Sequence, residues 1–295
     1  MPRIAYVNGA YLPHRRAAVH IEDRGYQFAD GVYEVIGIVA GRLIDETLHL
    51  DRLDRSLGEL GMRSPMTRAA FRFVMSEVVR RNGIRQGMLY IQITRGVAPR
   101  DHVFPAGVTP AVVMTARRLR PPDPRLVARG VDVVTQPDLR WKRCDIKSVS
   151  LLPNVLAKQA AKKQGAYEAW LVNEAGEVTE GSATNAWIVT RGGVLVTHKA
   201  DAAILNGVTR RGVMRLAASE GIVVEQRTFT RDEALAAREA FITSTTNYVM
   251  PVVRIDGHAI GDGKPGPFSR RLRENYIAYM SAPVERTDGS SPEAV

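Results

Sequence analysis

Helix-like and strand-like stretches mix through both halves of the chain, which points to an α+β fold. Two patterns carry that reading. Leu50, Leu53, Leu57 and Leu60, followed by Phe71, Val74, Met75, Val78 and Val79, recur at helical spacing, whereas 32–39 and 88–94 are apolar, β-branched runs of strand length. The third observation is a break. Three prolines in Pro121-Pro122-Asp123-Pro124 cannot continue either regular structure, so a linker is expected at 121–126. It would separate a domain over 1–120 from one over 127–280, with a flexible tail at 281–295. A chain of 295 residues is long enough for two domains of about 100–200 residues each.

The elements follow in order. Ile4-Ala-Tyr-Val is a short strand closed by the turn signal Asn8-Gly9. The strand over 32–39 turns at Gly41-Arg42 into Leu43-Ile44-Asp45, which predicts a hairpin. The leucine helix stops at Gly61, and Thr67 caps the next helix, which ends at Asn82-Gly83. Strands over 88–94 and 111–115 flank Arg95-Gly-Val-Ala-Pro-Arg100-Asp-His102-Val-Phe-Pro105, a loop longer than a connection requires. Beyond the linker come a strand over 131–135, a helix over 154–164 stopped at Gly165, and strands over 168–172, 185–189 and 194–197. A helix over 209–220, a strand over 223–229 and a helix opened by the capping box Thr230-Arg-Asp-Glu233 follow. Strands over 241–243 and 252–255 precede a last helix with Phe268, Leu272, Tyr276 and Met280 on one face.

Forty-one lysines and arginines against 31 acids leave a net charge of +10, which suits nucleic acid, an acidic membrane or small anionic ligands. The arginines are spread along the chain without a zinc-finger, aromatic RNA-reading or heptad pattern, so a basic nucleic-acid-binding protein is the remote alternative. No run approaches the ~18 apolar residues of a membrane span, and Met1-Pro-Arg-Ile-Ala-Tyr lacks a secretory apolar segment; a cytoplasmic enzyme is expected. One cysteine, Cys144, excludes an internal disulfide, and the histidines show no His-Glu-x-x-His spacing, so no metal is expected.

Four stretches point to chemistry. Lys147 stands at the end of a short apolar run and just before the helix start at Pro153-Asn154; by composition alone it reads as one surface ammonium among many. Asn206-Gly207-Val208-Thr209-Arg210 leads into a helix whose N-terminus offers N–H groups to a phosphate, and Ser244-Thr245-Thr246 offers similar donors after a strand. Ordinary capping and turn formation explain either one alone more simply. Glu180, in Thr179-Glu180-Gly181-Ser182, is either a solvent-facing turn acid or a carboxylate placed inside a site. No Gly-x-Gly-x-x-Gly or Walker loop is present. A Schiff-base lysine, an acid for a pyridinium nitrogen and phosphate-holding turns are the protein parts that pyridoxal 5′-phosphate needs.

Seven pieces in order then resemble one family: Phe28-Ala-Asp-Gly31-Val-Tyr33-Glu-Val-Ile36, the Arg95 to Pro105 loop, Cys144-Asp-Ile-Lys147-Ser, Asn154-Val-Leu-Ala-Lys-Gln159, Thr179-Glu-Gly-Ser-Ala-Thr-Asn185, Leu205-Asn-Gly-Val-Thr-Arg210 and Thr243-Ser-Thr-Thr246. Together they resemble the fold-type IV pyridoxal-phosphate aminotransferases, most closely the D-amino-acid (D-alanine) aminotransferases. The resemblance implies a small N-terminal α/β domain, a larger C-terminal pseudo-barrel domain and a homodimer.

The resemblance also assigns residues. Lys147 falls on the Schiff-base and proton-transfer lysine, and Glu180 on the acid facing the pyridine nitrogen. Arg52, Val208, Thr209 and Thr245 match the phosphate site, and Leu205 the residue packed on the ring. Tyr33, Arg100 and His102 match the trap for the substrate α-carboxylate, the last two reaching in from the partner subunit. An extended segment would aim Arg100 and His102 to the same side, where Arg100 could grip a carboxylate through two hydrogen bonds. The implied reaction is ping-pong transamination between a D-amino acid such as D-alanine and a 2-oxo acid such as 2-oxoglutarate. Branched-chain (L) aminotransferases, aminodeoxychorismate lyase and (R)-amine transaminases share the frame; the Pro-Arg-x-His loop argues against them.

Overall fold

The computed structural model describes residues 3–282, so the expected flexible tail lies outside the described residues from 283 onward. The chain opens on a hairpin of β1 (Ile4–Val7) and β2 (Ala10–Pro13), closed by Asn8 (φ 46°) and Gly9 (φ 97°). Two successive left-handed residues give the turn whose twist matches that of paired strands. Next come α1 (Arg24–Phe28), β3 (Gly31–Val39), β4 (Arg42–Leu43), α2 (Glu46–Glu59), α3 (Arg68–Asn82), β5 (Gln86–Thr94) and β6 (Ala111–Arg118). The strands form one antiparallel sheet in the order β2-β1-β6-β5-β3-β4.

Alternation along β3 divides its side chains between two jobs. Val32, Glu34, Ile36 and Ile38 are fully buried; the three apolar ones pack with Leu50, Leu53 and Leu57 of α2 and with Phe71, Met75 and Val78 of α3. Tyr33, Val35 and Gly37 therefore lie on the opposite face of the sheet. The caps of α3 are those its sequence specifies: Thr67 Oγ1 accepts from Ala70 N at 3.2 Å, and Gly83 closes the helix at φ 58°.

After the first sheet, α4 (Pro124–Arg129) begins inside the expected break. Pro124 is tolerated there because the first turn of a helix needs no N–H from it, and Asp123 caps the turn by accepting from Arg125 N at 2.9 Å. The remaining elements are β7 (Val131–Pro137), α5 (Leu152–Lys163), β8 (Glu168–Val172), β9 (Val178–Gly181), β10 (Asn185–Val189), β11 (Leu195–Thr197), α6 (Val208–Ser219), β12 (Val224–Gln226), α7 (Arg231–Leu235), β13 (Glu239–Ser244), β14 (Tyr248–Ile255), β15 (His258–Ala259) and α8 (Pro267–Ser281). The strand expected over 223–229 shrinks to β12 because it is an edge strand held only by β11. The helix expected from 154 begins at Leu152, with Pro153 in its first turn.

The second sheet runs β12-β11-β10-β13-β14-β7-β8-β9, with β15 on β14. Laid flat, this order would put β9 and β10 five strand spacings apart, roughly 24 Å. Only residues 182–184 join them, a reach of at most ~14 Å. The sheet must therefore curl on itself, and Trp170, Val178, Ile188, Phe229, Ile242 and Met250 belong to one core cluster of that domain. Helices α6 and α8 cover it through Val213, Leu272 and Tyr276 packed on Trp187 and Phe241. Among the described residues no helix is long and apolar enough to cross a membrane.

Candidate active site

The Tyr33 face of the first sheet, the 140–151 segment, the 182–184 turn and the start of α6 enclose a cleft of about 280 Å³, near the lower end of small-molecule sites. Tyr33, Arg52, Lys147, Glu180, Leu205, Val208, Thr209 and Thr245 all line it; Arg100 and His102 do not.

Lys147 is positioned by its backbone. Its carbonyl accepts from Tyr33 N at 2.9 Å, its N–H donates to Ser56 Oγ at 3.3 Å, Ser148 bridges to Val32, and Val149 N donates to Gly31 O at 3.0 Å. The 147–149 segment is thus stitched to the start of β3, which ties the second half of the chain to the first sheet. The ammonium lies 4.1 Å from the centre of the Tyr33 ring and makes no hydrogen bond or ion pair among the described residues. An amine held only by an aromatic face remains available to a ligand.

Glu180 was expected at a turn and instead occupies β9, just ahead of that turn, with 6% exposure. One of its oxygens receives Arg140 Nη1, the other receives Asn185 Nδ2 at 2.9 Å, and Leu205 N lies 3.2 Å from both. Burial pushes the carboxyl up, while the Arg140 guanidinium and the Leu205 N–H pull it down. Arg140 is in turn held by Asp138 at 2.7 and 2.9 Å and by the Ala203 carbonyl at 3.0 Å. Cys144, in the same wall, is pushed up to about 12, chiefly by burial, and its thiol points at the Trp141 carbonyl.

Where Arg52 and the start of α6 line the cleft, a buried ion pair stands behind it. The fully buried carboxylate of Glu34 accepts two bonds from Arg52, at 2.8 and 2.9 Å, and faces His49 Nδ1 at 2.7 Å. Arg52 Nη1 donates to the Asn206 carbonyl at 3.1 Å and so touches the turn that opens α6. That helix starts after Gly207 without a side-chain cap, leaving its first N–H groups to a ligand. Gly207 must be glycine: a Cβ there would stand 2.1 Å from Asn185 Oδ1.

Glu34, His49, Arg140 and Asn185 received no role from the sequence. Glu34 had a legible signal, an acid in the buried register of an apolar strand, with His49 and Arg52 three residues apart on one helix face to match it. Arg140 and Asn185 had none, because their partner Glu180 is 40 and 5 residues away and the contacts are side-chain hydrogen bonds that only the fold creates.

The loop between β5 and β6 contains no strand, so extended alternation does not set the directions of Arg100 and His102. Both lie against Phe28 instead, the Arg100 guanidinium 5.0 Å and the His102 ring 5.3 Å from its centre. Arg24 braces the loop through the Asp101 carbonyl at 2.5 Å, and Arg95 stacks on Phe104 at 3.6 Å. Asp30 holds both of these arginines, at 2.8 and 2.7 Å.

The family model for class IV amino-transferases matches residues 31–255. The chain belongs to the class IV aminotransferases. A D-alanine aminotransferase of Bacillus licheniformis is 44% identical over 266 residues, 90% of this chain and 93% of that one. One from Staphylococcus haemolyticus is 40% identical over 280 residues, 94% and 98% of the two chains. A branched-chain aminotransferase of the thermophilic archaeon Thermoproteus uzoniensis, solved with norvaline, superposes with a TM-score of 0.83 at 27% identity over 94% of each chain. This class IV aminotransferase has the expected α+β, fold-type IV architecture, its curled second sheet being the pseudo-barrel.

Class IV aminotransferases use pyridoxal 5′-phosphate, and the cleft of this one fits it. A buried carboxylate with cationic support, an unengaged lysine amine and an uncapped helix start beside an arginine match a protonated ring nitrogen, an aldehyde and a phosphate respectively. Among the described residues no cluster of histidine, cysteine and acidic side chains could hold a metal ion.

Proposed function

We propose that this class IV aminotransferase moves an amino group between a D-amino acid such as D-alanine and a 2-oxo acid such as 2-oxoglutarate, in ping-pong fashion. The observation that carries the chemistry is the convergence of Lys147, Glu180 and the α6 cup on one cleft. Preference for the D series is supported by the D-alanine aminotransferases to which the chain is 40–44% identical. When bound, the cofactor supplies an aldehyde that condenses with amines and a cationic ring that accepts electron density.

The protein side then divides the work. Lys147 Nζ, with no hydrogen-bond or ion-pair partner among the described residues, takes and returns the proton at the substrate Cα. Glu180 would hold the ring nitrogen in its protonated form, with Arg140 and Asn185 fixing both carboxylate oxygens. Arg52, Val208, Thr209 and Thr245, which line the cleft together, would hold the phosphate, and Leu205 would hold the ring. Tyr33 holds the substrate carboxylate together with Arg100 and His102 of a partner subunit. A homodimer accounts for two facts: Arg100 and His102 lie outside their own chain's cleft, and Ile21, Tyr26, Val103 and Phe104 expose large apolar surfaces on and near their loop.

Purified protein should be yellow, and borohydride should fix the label on Lys147; colourless protein that takes up no cofactor would refute the proposal. D-alanine and L-leucine, each offered with 2-oxoglutarate, decide the stereochemistry. The likeness to branched-chain enzymes supplies the competing outcome, turnover of the L series alone. Mixed Arg100→Ala and Lys147→Ala subunits should regain activity through hybrid dimers that carry one intact site; no recovery would exclude the shared site.

A further inference from the structure

Three arginines line the cleft, and two of them are matched: Arg52 by Glu34, Arg140 by Asp138 and Glu180. The third, Arg117 on β6, makes no ion pair among the described residues, and its one polar contact is from Nε to the Met88 thioether at 3.4 Å. Strand pairing sets Gly37, Met88 and Arg117 in one row across β3, β5 and β6, on the same face as Tyr33 and Val35. Gly37 contributes no side chain to that row, yet nothing local demands a glycine there. Its φ is not left-handed, and an added Cβ would meet only Thr245, at 3.5 Å and beyond. The third place of the row therefore holds no side chain beside Met88 and Arg117, both of which line the cleft.

Two strand spacings and four residues of rise separate Tyr33 from Arg117, roughly 17 Å between Cα atoms. Facing tyrosine and arginine side chains reduce that to a gap that a short dicarboxylic acid bridges with one carboxylate at each end. An unmatched, solvent-accessible arginine at such a distance is built to accept a second negative charge by a bidentate bond.

We propose that Arg117 is a specificity-determining residue that binds the distal carboxylate of dicarboxylic substrates, both an acidic amino acid and the matching 2-oxo dicarboxylate. The inference rests on the transamination proposed above and adds to it the class of substrate that the rim of the cleft selects. It also separates Arg117 from the phosphate site, where Arg52 already supplies a cation.

The test uses holoenzyme. Wild type, Arg117→Met and Arg117→Lys are compared for kcat/KM with D-glutamate, D-aspartate, D-alanine, 2-oxoglutarate and pyruvate, and apoprotein is titrated with pyridoxal 5′-phosphate. Arg117→Met should lose about 10- to 100-fold on the dicarboxylates, the worth of a hydrogen-bonded charge pair, and stay within about threefold on D-alanine and pyruvate. Arg117→Lys should recover part of the loss. Cofactor affinity and melting temperature should not move. Equal loss on both substrate classes, no loss on either, or a loss of cofactor affinity in place of discrimination would each overturn the proposal. If wild type acts on L-amino acids alone, the D-specific reading falls while the same comparison proceeds with L-glutamate and L-alanine. If it forms no oxo acid from any of them, the transamination reading and this inference fall together.

Discussion

Replacing Glu34 by glutamine isolates the buried support of the phosphate end. The wild-type carboxylate is fully buried, accepts two bonds from Arg52 and faces His49 at 2.7 Å. Removing one partner of a buried ion pair costs about 3–5 kcal/mol, because the other charge stays behind in a poorly solvating site. For a chain of this size that is a fall of roughly 5–15 °C in melting temperature. Bound phosphate would give Arg52 a replacement anion, so cofactor-loaded protein should be spared about 1.5–3 kcal/mol of the loss. Burial raises the Glu34 carboxyl, but Arg52 and His49 outweigh it and hold the group well below its ordinary value of 4.5. Its stabilisation is therefore complete above that value and disappears as pH falls through the lower, folded-state one, so the variant should be the less acid-sensitive protein there. Paired calorimetric scans of apoprotein and loaded protein, at neutral pH and below pH ~4, test this. Equal destabilisation of both forms, or a loss under about 1 kcal/mol, would refute the linkage between Glu34, Arg52 and the phosphate.

Three further outcomes follow from the same geometry. Gly207→Ala forces a Cβ against Asn185, which also holds Glu180 and the Leu205 carbonyl, so pyridoxal 5′-phosphate should bind at least about tenfold more weakly in an equilibrium titration. Arg100→Ala should keep the cofactor absorption band and lose turnover of carboxylate-bearing substrates by about 10- to 100-fold; disappearance of the band would reassign the residue to the fold. Cys144 should resist alkylation at pH ~8: a rise from 9.0 to about 12 leaves about a thousandfold less thiolate, and labelling at the rate of a free thiol would contradict its burial.

Local signals carried much of the fold. Asn8-Gly9, Thr67, Asn82-Gly83 and Thr230 act within a few residues, so the turns and caps they predict are present, although Glu233 completes no capping box because its carboxylate pairs with Arg227. Edges were harder, as β12 and the start of α5 show, because strand length depends on which neighbour is available to pair. Lys147 and Glu180 were legible as chemistry-bearing residues only in company, through ordered motifs shared with a family, since one lysine and one acid in isolation are surface charges.

The chain order of its motifs was enough to reveal an α+β class IV aminotransferase and to name a lysine, an acid and a helix start that line one cleft. Tertiary structure alone decided what supports those groups. Arg140 and Asn185 reach Glu180 because a three-residue turn curls the second sheet, and Glu34 stands behind Arg52 because α2 packs across β3. It also decided which side chains face inward: strand alternation put Arg117 on the same face of the first sheet as Tyr33, and a loop without strand geometry left Arg100 and His102 outside their own chain's site. Periodicity and spacing record local propensity, whereas pairing of distant charges depends on register and packing between segments far apart in the chain.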